Sequence, residues 1–253
     1  MDKKIQVAAI VVAIVFSALV LTSPTDPIPL PIPNSNSESD FVTILAENLD
    51  KPRAIAVSND RIFVTEKDGT IKVIQNNTLL ESPLATLRGA DVFDGGLLGI
   101  ALHPNFSTNH YMYVFLTYEE DDNLWNKILR ITEYKNKLQN AETILDKIPG
   151  SSFTNGGFMK FGPDKKLYVG TGTVSDASHL PQNLNSLSGK ILRLNDDGTI
   201  PDDNPFPNSH VYSLGHRNPQ VMTWDDDGNL FVAEFGPEKN DEINLIQAGK
   251  NYG

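Results

Sequence analysis

The stretch MKFGPDKKLYVGTG, residues 159–172, decides the fold. Its apolar run Met159–Phe161 leads into a Gly-Pro-Asp turn, and the chain returns as Leu167–Val169 with an aromatic residue at the centre. Apolar runs on either side of such a turn predict paired antiparallel strands. The same unit occurs three more times, as Ala54–Val57 with Ile62–Val64, Ile100–Pro104 with Met112–Val114, and Met222–Asp225 with Leu230–Val232.

Further strands extend this unit. Lys127–Ile131 and Lys190–Leu194 match each other, and an Asp68-Gly69 turn leads into Ile71–Ile74 in the first copy. The copies lie about 50 to 63 residues apart, a spacing typical of the sheets of a β-propeller. Because a small sheet cannot bury both faces alone, consecutive units must stack on one another. The sequence therefore predicts an all-β propeller with about four blades in this chain, and a β-sandwich is the alternative.

The composition narrows the class of partner. The 253 residues carry a formal net charge of −11, which argues against nucleic acid, because phosphates need a basic surface. The same charge is compatible with cations or with a neutral polar substrate. Cysteine is absent, so disulfides and thiolate metal sites are excluded.

The first forty residues resemble an export segment. Lys3 and Lys4 precede an apolar run, Val7–Leu21, and a proline-rich tract and a polar stretch follow. We interpret residues 1–23 as a signal peptide or an N-terminal membrane anchor, 24–40 as a Pro/Ser-rich linker, and 41–253 as the propeller. A retained anchor would tether the protein through residues 5–21, and cleavage remains the alternative. Either reading predicts an exported protein in an extracellular or periplasmic-type space.

Polar loop segments flank the last predicted strand, Asn229–Glu234. They are Tyr212–Gln220, Glu234–Pro237 and Asp241–Asn244, and loops held at strand ends are where binding sites form. The acidic runs Asn195–Gly198 and Asp225–Gly228 lack the spacing of a helix-flanked calcium loop. Their Asp-Gly pairs instead predict hairpin turns with positive φ at glycine.

The chain resembles the glucose/sorbosone dehydrogenase family, the soluble aldose dehydrogenases that use pyrroloquinoline quinone (PQQ). The resemblance covers about residues 41–253 and implies a six-bladed propeller, so we expect this chain to be truncated at its C-terminus by about two blades. It rests on Gly96–Phe106, on Phe161–Asp164 with Leu167–Val169, on Ser188–Leu194 with Asp197–Pro201 and Asp203–Phe206, and on the Gly215–Asn218 and Glu234–Asn244 segments.

The resemblance implies an exported quinoprotein that oxidises the anomeric carbon of an aldose or another small polar substrate; it leaves the electron acceptor open. Arg217 is implied to lie over the quinone and stabilise negative charge, and Asn218 to help hold the cofactor. The carbonyls of Gly236 and Pro237 are implied to bind calcium. Asp241 and Glu242 match a second, structural calcium site. The alternatives are an Arg217 paired with an acidic neighbour such as Glu234, an ordinary Gly-Pro turn and a solvated acidic turn.

Four positions depart from the family pattern. Phe158 stands where the family often has an arginine or a similar polar residue. Thr154 stands where the family has its catalytic histidine base, and Thr173 stands where it has an acidic residue. Asp94 replaces a glutamine or glutamate and keeps an acceptor. Threonine cannot act as a base near neutral pH, so His179, in a nearby loop, is a candidate substitute.

These departures leave three hypotheses open. The first is the quinoprotein dehydrogenase. The second is a catalytically lapsed propeller that binds a sugar, polymer or protein partner at the cell surface. The third is a calcium-stabilised adhesion module.

Overall fold

Four antiparallel sheets follow one another along the chain. The computed structural model describes residues 42–174 and 179–253, so the predicted export segment, the linker and Phe41 lie outside the described residues. In the described ranges, no helix has both the length and the apolar character needed to cross a bilayer.

Each sheet is a meander in which consecutive strands pair. The first contains β1 (Pro52–Ser58), β2 (Arg61–Glu66), β3 (Thr70–Gln75), β4 (Thr78–Leu79) and β5 (Ala85–Thr86), with β5 pairing β3. The second contains β6 (Leu97–Leu102), β7 (Tyr111–Glu120), β8 (Asn123–Tyr134) and β9 (Lys137–Pro149), with the short helix α1 (Phe106–Asn109) after β6.

The third sheet contains β10 (Gly156–Phe161), β11 (Leu167–Thr171), β12 (Lys190–Leu194) and β13 (Val211–Leu214), with a 3-10 turn at Leu180–Gln182. The fourth contains β14 (Pro219–Trp224), β15 (Leu230–Glu234) and β16 (Glu242–Ile246). The first strand of each sheet lies against the first strand of the next. The four sheets are therefore propeller blades, which confirms the predicted fold and excludes two stacked layers.

Three apolar cores lie between neighbouring blades. In β7, Met112 and Val114 pack towards the first blade, whereas Tyr113 and Phe115 pack towards the third. In the third blade, Leu167 and Val169 face the second blade, and Tyr168 faces the fourth. Side chains alternate between the two faces of a strand, so a blade buried on both sides needs an almost continuous apolar run. This alternation explains runs such as Met112–Leu116.

The inner strands of the second and third blades approach closely at glycine. Gly99 of β6 faces the carbonyl oxygen of Gly157 of β10, and a Cβ at Gly99 would collide with that oxygen. Only glycine allows this contact between two backbones.

Both Asp-Gly segments form turns with positive φ, but the predicted hairpin is wrong for Asn195–Gly198, which opens the long loop between β12 and β13. Gly198 donates its N–H to Asn195 and has φ +87°, and Gly228 donates to Asp225 and has φ +83°. The second turn joins β14 to β15.

Candidate functional site

The candidate site is a cavity along the innermost strands β1, β6, β10 and β14. It has a volume of about 1240 Å³. Most of its polar residues lie where these strands begin. Arg53 is the second residue of β1, and Asp94, Thr154 and Arg217 precede β6, β10 and β14 by two or three residues, whereas Lys160 lies near the other end of β10. The lining includes Arg53, Phe93, Asp94, Leu98, Phe153, Thr154, Phe158, Lys160, Arg217, Asn218, Gln220 and Phe235.

Arg217 lies in the loop between β13 and β14, and its backbone is fixed by the third blade. Its carbonyl accepts the N–H of Thr173 at 2.7 Å, and Gly189 accepts the N–H of the preceding residue, His216, at 3.1 Å. The guanidinium Nη1 donates to the carbonyls of Phe235 at 3.0 Å and Gly236 at 2.6 Å. The structure thus brings Arg217 and Gly236 together.

Asn218 ties the third blade to the fourth. Its side-chain Oδ1 accepts the N–H of Gly156 at 3.1 Å and the amide of Gln220 at 3.0 Å, and its carbonyl accepts the N–H of Phe235 at 3.1 Å. The residue is buried at the edge of the cavity. Asn218 therefore stabilises the loop that carries Arg217.

Glu234 contacts His216 and not Arg217. Its Oε2 lies 3.1 Å from His216 Nδ1, and the other ring nitrogen of His216 lies 2.8 Å from Ser213 Oγ. Tyr252 stacks on the imidazole with ring centroids 5.0 Å apart. All three polar side chains are buried, so Ser213 is not an accessible nucleophile, and the group acts as a brace beneath the Arg217 loop. This network was not predicted from the sequence. The signal that could have indicated it is a glutamate, Glu234, at the end of an otherwise apolar strand.

The two threonines that depart from the family pattern, Thr154 and Thr173, lie side by side. Thr154 Oγ1 donates to the carbonyl of Thr173 at 2.6 Å. Thr154 also has φ +58°, a left-handed conformation that a β-branched residue rarely adopts. The hydroxyl of Thr173 is buried and has no hydrogen-bond partner among the residues that the structure describes.

Asp94 shares the rim of the cavity with Thr154. Its carboxylate is 2.5 Å from the Arg53 guanidinium, in a partly exposed ion pair. Its backbone N–H donates to Ser152 at 2.9 Å, and its carbonyl accepts the Asn155 amide at 2.5 Å. These bonds hold the Asp94 loop against the Thr154 loop.

The predicted calcium ligands occupy the turn between β15 and β16. The Gly236 carbonyl accepts Arg217, and the Pro237 carbonyl accepts the N–H groups of Lys239 at 2.7 Å and Asn240 at 3.2 Å. Asp241 accepts the N–H of Gly236 at 3.1 Å, while Glu242 accepts the amide of Asn244 at 3.1 Å. In the part of the chain that the structure describes, no group of three or more His, Cys, Asp or Glu side chains is placed so that it could hold a metal ion.

His179 lies outside this group. Its side chain is exposed just before the 3-10 turn, and it is not one of the residues that line the cavity. Its proposed role as a substitute base stays a prediction.

Burial shifts the pKa of one group beside the site. The Lys190 ammonium is fully buried and donates to the carbonyls of Leu180, Pro181 and Ser188 at 2.9, 2.9 and 2.6 Å. Desolvation lowers the pKa of Lys190 to about 8. The lysine holds the 3-10 turn against β12.

Comparisons with known proteins identify the family. The Glucose / Sorbosone dehydrogenase family model matches residues 49–253. The chain therefore belongs to the glucose/sorbosone dehydrogenase family.

Individual relatives agree with this assignment. The chain is 36% identical over 245 residues to quinoprotein glucose dehydrogenase B of Acinetobacter calcoaceticus, covering 83% of this chain and 51% of that protein. It is 32% identical over 228 residues to aldose sugar dehydrogenase YliI of Escherichia coli, covering 84% of this chain and 61% of that protein.

A solved structure of a relative supports the same fold. The PQQ-bound form of aldose sugar dehydrogenase from Streptomyces coelicolor superposes with a TM-score of 0.78 at 38% identity, covering 84% of this chain and 64% of that chain. The present chain spans about half to two thirds of the length of these relatives.

Proposed function

We propose that this chain is part of an exported, PQQ-dependent aldose dehydrogenase. The observation that carries the proposal is the convergence of Arg217, Asn218 and Asp94 on one cavity at the same end of the inner strands. The family of the chain and the quinoprotein relatives support the choice of cofactor and substrate class.

The cavity fits a planar anionic cofactor. At the end where Arg217 lies, two cationic side chains (Arg53 and Arg217) and one carboxylate (Asp94) line it, so this end carries a net charge of +1 in a chain whose net charge is −11. Apolar side chains such as Leu98 and Phe158 supply flat contact area between these charges. An anion with a conjugated ring system matches both features.

If PQQ is bound at this cavity, it would supply the acceptor for the hydride that leaves the anomeric carbon of the sugar. The chain must orient the sugar and take the proton of its anomeric hydroxyl, so that a lactone results. Arg217 supplies fixed donors where negative charge develops. Asp94 is the carboxylate in the lining and is our candidate proton acceptor, whereas His179 could serve only if its loop moved.

The Gly236 and Pro237 carbonyls could supply part of a calcium site. The Gly236 carbonyl attracts a cation, since it already accepts a guanidinium, but two carbonyls fall short of the six to eight oxygens that Ca²⁺ prefers. A calcium ion there would compete with Arg217 for the Gly236 oxygen. It would also need further oxygen ligands beyond the two carbonyls. Asp241 and Glu242 remain candidates for a separate structural ion.

The location is part of the proposal. The apolar run Val7–Leu21, preceded by Lys3 and Lys4, supports export, with cleavage or anchoring still to be distinguished. N-terminal sequencing of the protein from a membrane fraction and from the surrounding medium would distinguish them.

The test is reconstitution of the full-length protein with PQQ and CaCl₂. Cofactor binding is followed by fluorescence and sugar oxidation by dye reduction with several aldoses. Arg217→Ala should weaken PQQ binding and turnover, whereas Arg88→Ala, at an exposed arginine outside the cavity, should change neither. PQQ binding without turnover on any aldose would reject the dehydrogenase and leave a lapsed binding propeller.

A further inference from the structure

Two phenylalanines stand exposed at the mouth of the cavity. Phe93 is 75% exposed and Phe153 is 49% exposed, yet both line the cavity. Their ring centroids are 5.0 Å apart, with the planes tilted by 41°. Phenylalanine is usually buried, so two adjacent exposed rings at a cavity mouth mark a surface made to be covered.

The loops that carry these rings are rigid. Phe93 precedes Asp94, whose backbone bonds to Ser152 and Asn155 lock the two loops together. Asn155 is itself buried, and its Oδ1 accepts the amide of Asn126 at 3.1 Å. A ligand that covers the pair therefore meets an ordered surface and loses little affinity to loop ordering.

The chemistry around the pair is that of a carbohydrate site. The Arg53–Asp94 ion pair lies beside Phe93 and offers planar donors and acceptors that match neighbouring hydroxyls. Aromatic faces attract the polarised C–H groups of a pyranose ring. Arg53, Phe93, Asp94 and Phe153 all line the same cavity, so a ligand on the two rings also reaches the ion pair.

We propose that the Phe93–Phe153 pair binds the second ring of an oligosaccharide whose reducing end reaches the Asp94 and Thr154 rim. This inference rests on the proposed function. The ring next to the reacting sugar stacks on the two phenyl groups, and its hydroxyls pair with Arg53. The pair then favours disaccharides over monosaccharides.

A binding experiment tests this without turnover. Saturation-transfer NMR on the full-length apoprotein with cellobiose and with maltose should show transfer to the non-reducing ring. The transfer should be lost in Phe93→Ala/Phe153→Ala, kept in Phe93→Trp, and unaffected by Tyr134→Ala, at an exposed aromatic residue outside the cavity. No transfer in the parent protein, or equal transfer in the double variant, would overturn the proposal.

A kinetic experiment on the PQQ-loaded protein gives an independent readout. The ratio of kcat/KM for disaccharide to that for glucose should fall about three- to tenfold in the double variant, from the usual strength of one or two aromatic contacts. An unchanged ratio overturns the proposal. Absence of turnover on every sugar, with saturation transfer intact, would reject the proposed function and support the aromatic binding surface.

Discussion

Under the proposed function, replacing Thr154 by histidine should raise the rate of sugar oxidation at almost no loss of stability. Thr154 has φ +58°, and a left-handed conformation destabilises an ordinary residue by about 1–2 kcal/mol. Histidine tolerates this region better than a β-branched residue. The substitution removes the hydrogen bond from Thr154 Oγ1 to the Thr173 carbonyl, which contributes about 0.5–1.5 kcal/mol. The two effects offset each other, so the free energy of unfolding should change by less than about 1 kcal/mol.

The effect on rate should be much larger. A positioned general base typically accelerates proton transfer about 10²–10⁴-fold, equivalent to about 3–5 kcal/mol of barrier. Adding Thr173→Asp supplies a carboxylate beside the new imidazole, since the backbone of Thr173 contacts Thr154 and its hydroxyl is buried with no partner in the described ranges. The double variant should therefore be faster than Thr154→His alone.

The assay is the single-turnover reduction of bound PQQ by excess sugar, together with urea unfolding of each variant. Thr154→Asn is the matched control, because asparagine suits the backbone but is not a base; it should retain stability without a gain in rate. A Thr154→His protein that binds PQQ normally and shows no gain in rate would refute the assignment of this position.

Three further predictions concern the groups around the cavity. The pKa of Lys190 is lowered from 10.5 to about 8 in the folded protein, so above pH 8 the unfolded chain binds more protons than the folded one and stability should rise with pH. In urea titrations, the unfolding free energy relative to Lys190→Met should increase by about 2 kcal/mol from pH 7.5 to 9.5. Parallel pH profiles for the two proteins would contradict this. Glu234→Gln removes a charge from the buried contact with His216 and should lower the unfolding free energy by about 1.5–3 kcal/mol, whereas the exposed Glu119→Gln should leave the melting temperature unchanged. Arg217→Met frees the Gly236 carbonyl and should tighten calcium binding to the apoprotein in calorimetry; unaltered binding would remove that carbonyl from the candidate ligands.

The blades could be predicted because their physics is local and repeated. A sheet buried on both faces requires consecutive apolar residues, and tight turns require Asp-Gly or Pro-Asp pairs, so the strands around Leu167–Val169 are visible in the sequence. The strand β9 (Lys137–Pro149) was not predicted. It is an outer strand with mostly exposed side chains, so no apolar pattern marks it.

The site could be predicted only as far as the backbone determines it. The neighbourhood of Arg217 and Gly236 follows from the loops that flank β14 and β15, and the structure brings these two residues together. The pairing of Glu234 with His216 could not be foreseen, because it depends on which rotamer each side chain adopts in a folded loop. The meeting of Phe93 and Phe153 depends on the contact between two blades, which no single segment encodes.

The positive cavity in an acidic protein has a consequence for the loading of an anionic cofactor. At low ionic strength the overall charge of −11 repels an approaching polyanion, because a long Debye length lets acidic groups far from the cavity act on it. Near physiological salt that length is about 8 Å, so the distant acidic groups are screened while Arg53 and Arg217 still act at contact. Moderate salt should thus hasten association while strong brine weakens the bound state, an optimum that neither charge alone would produce.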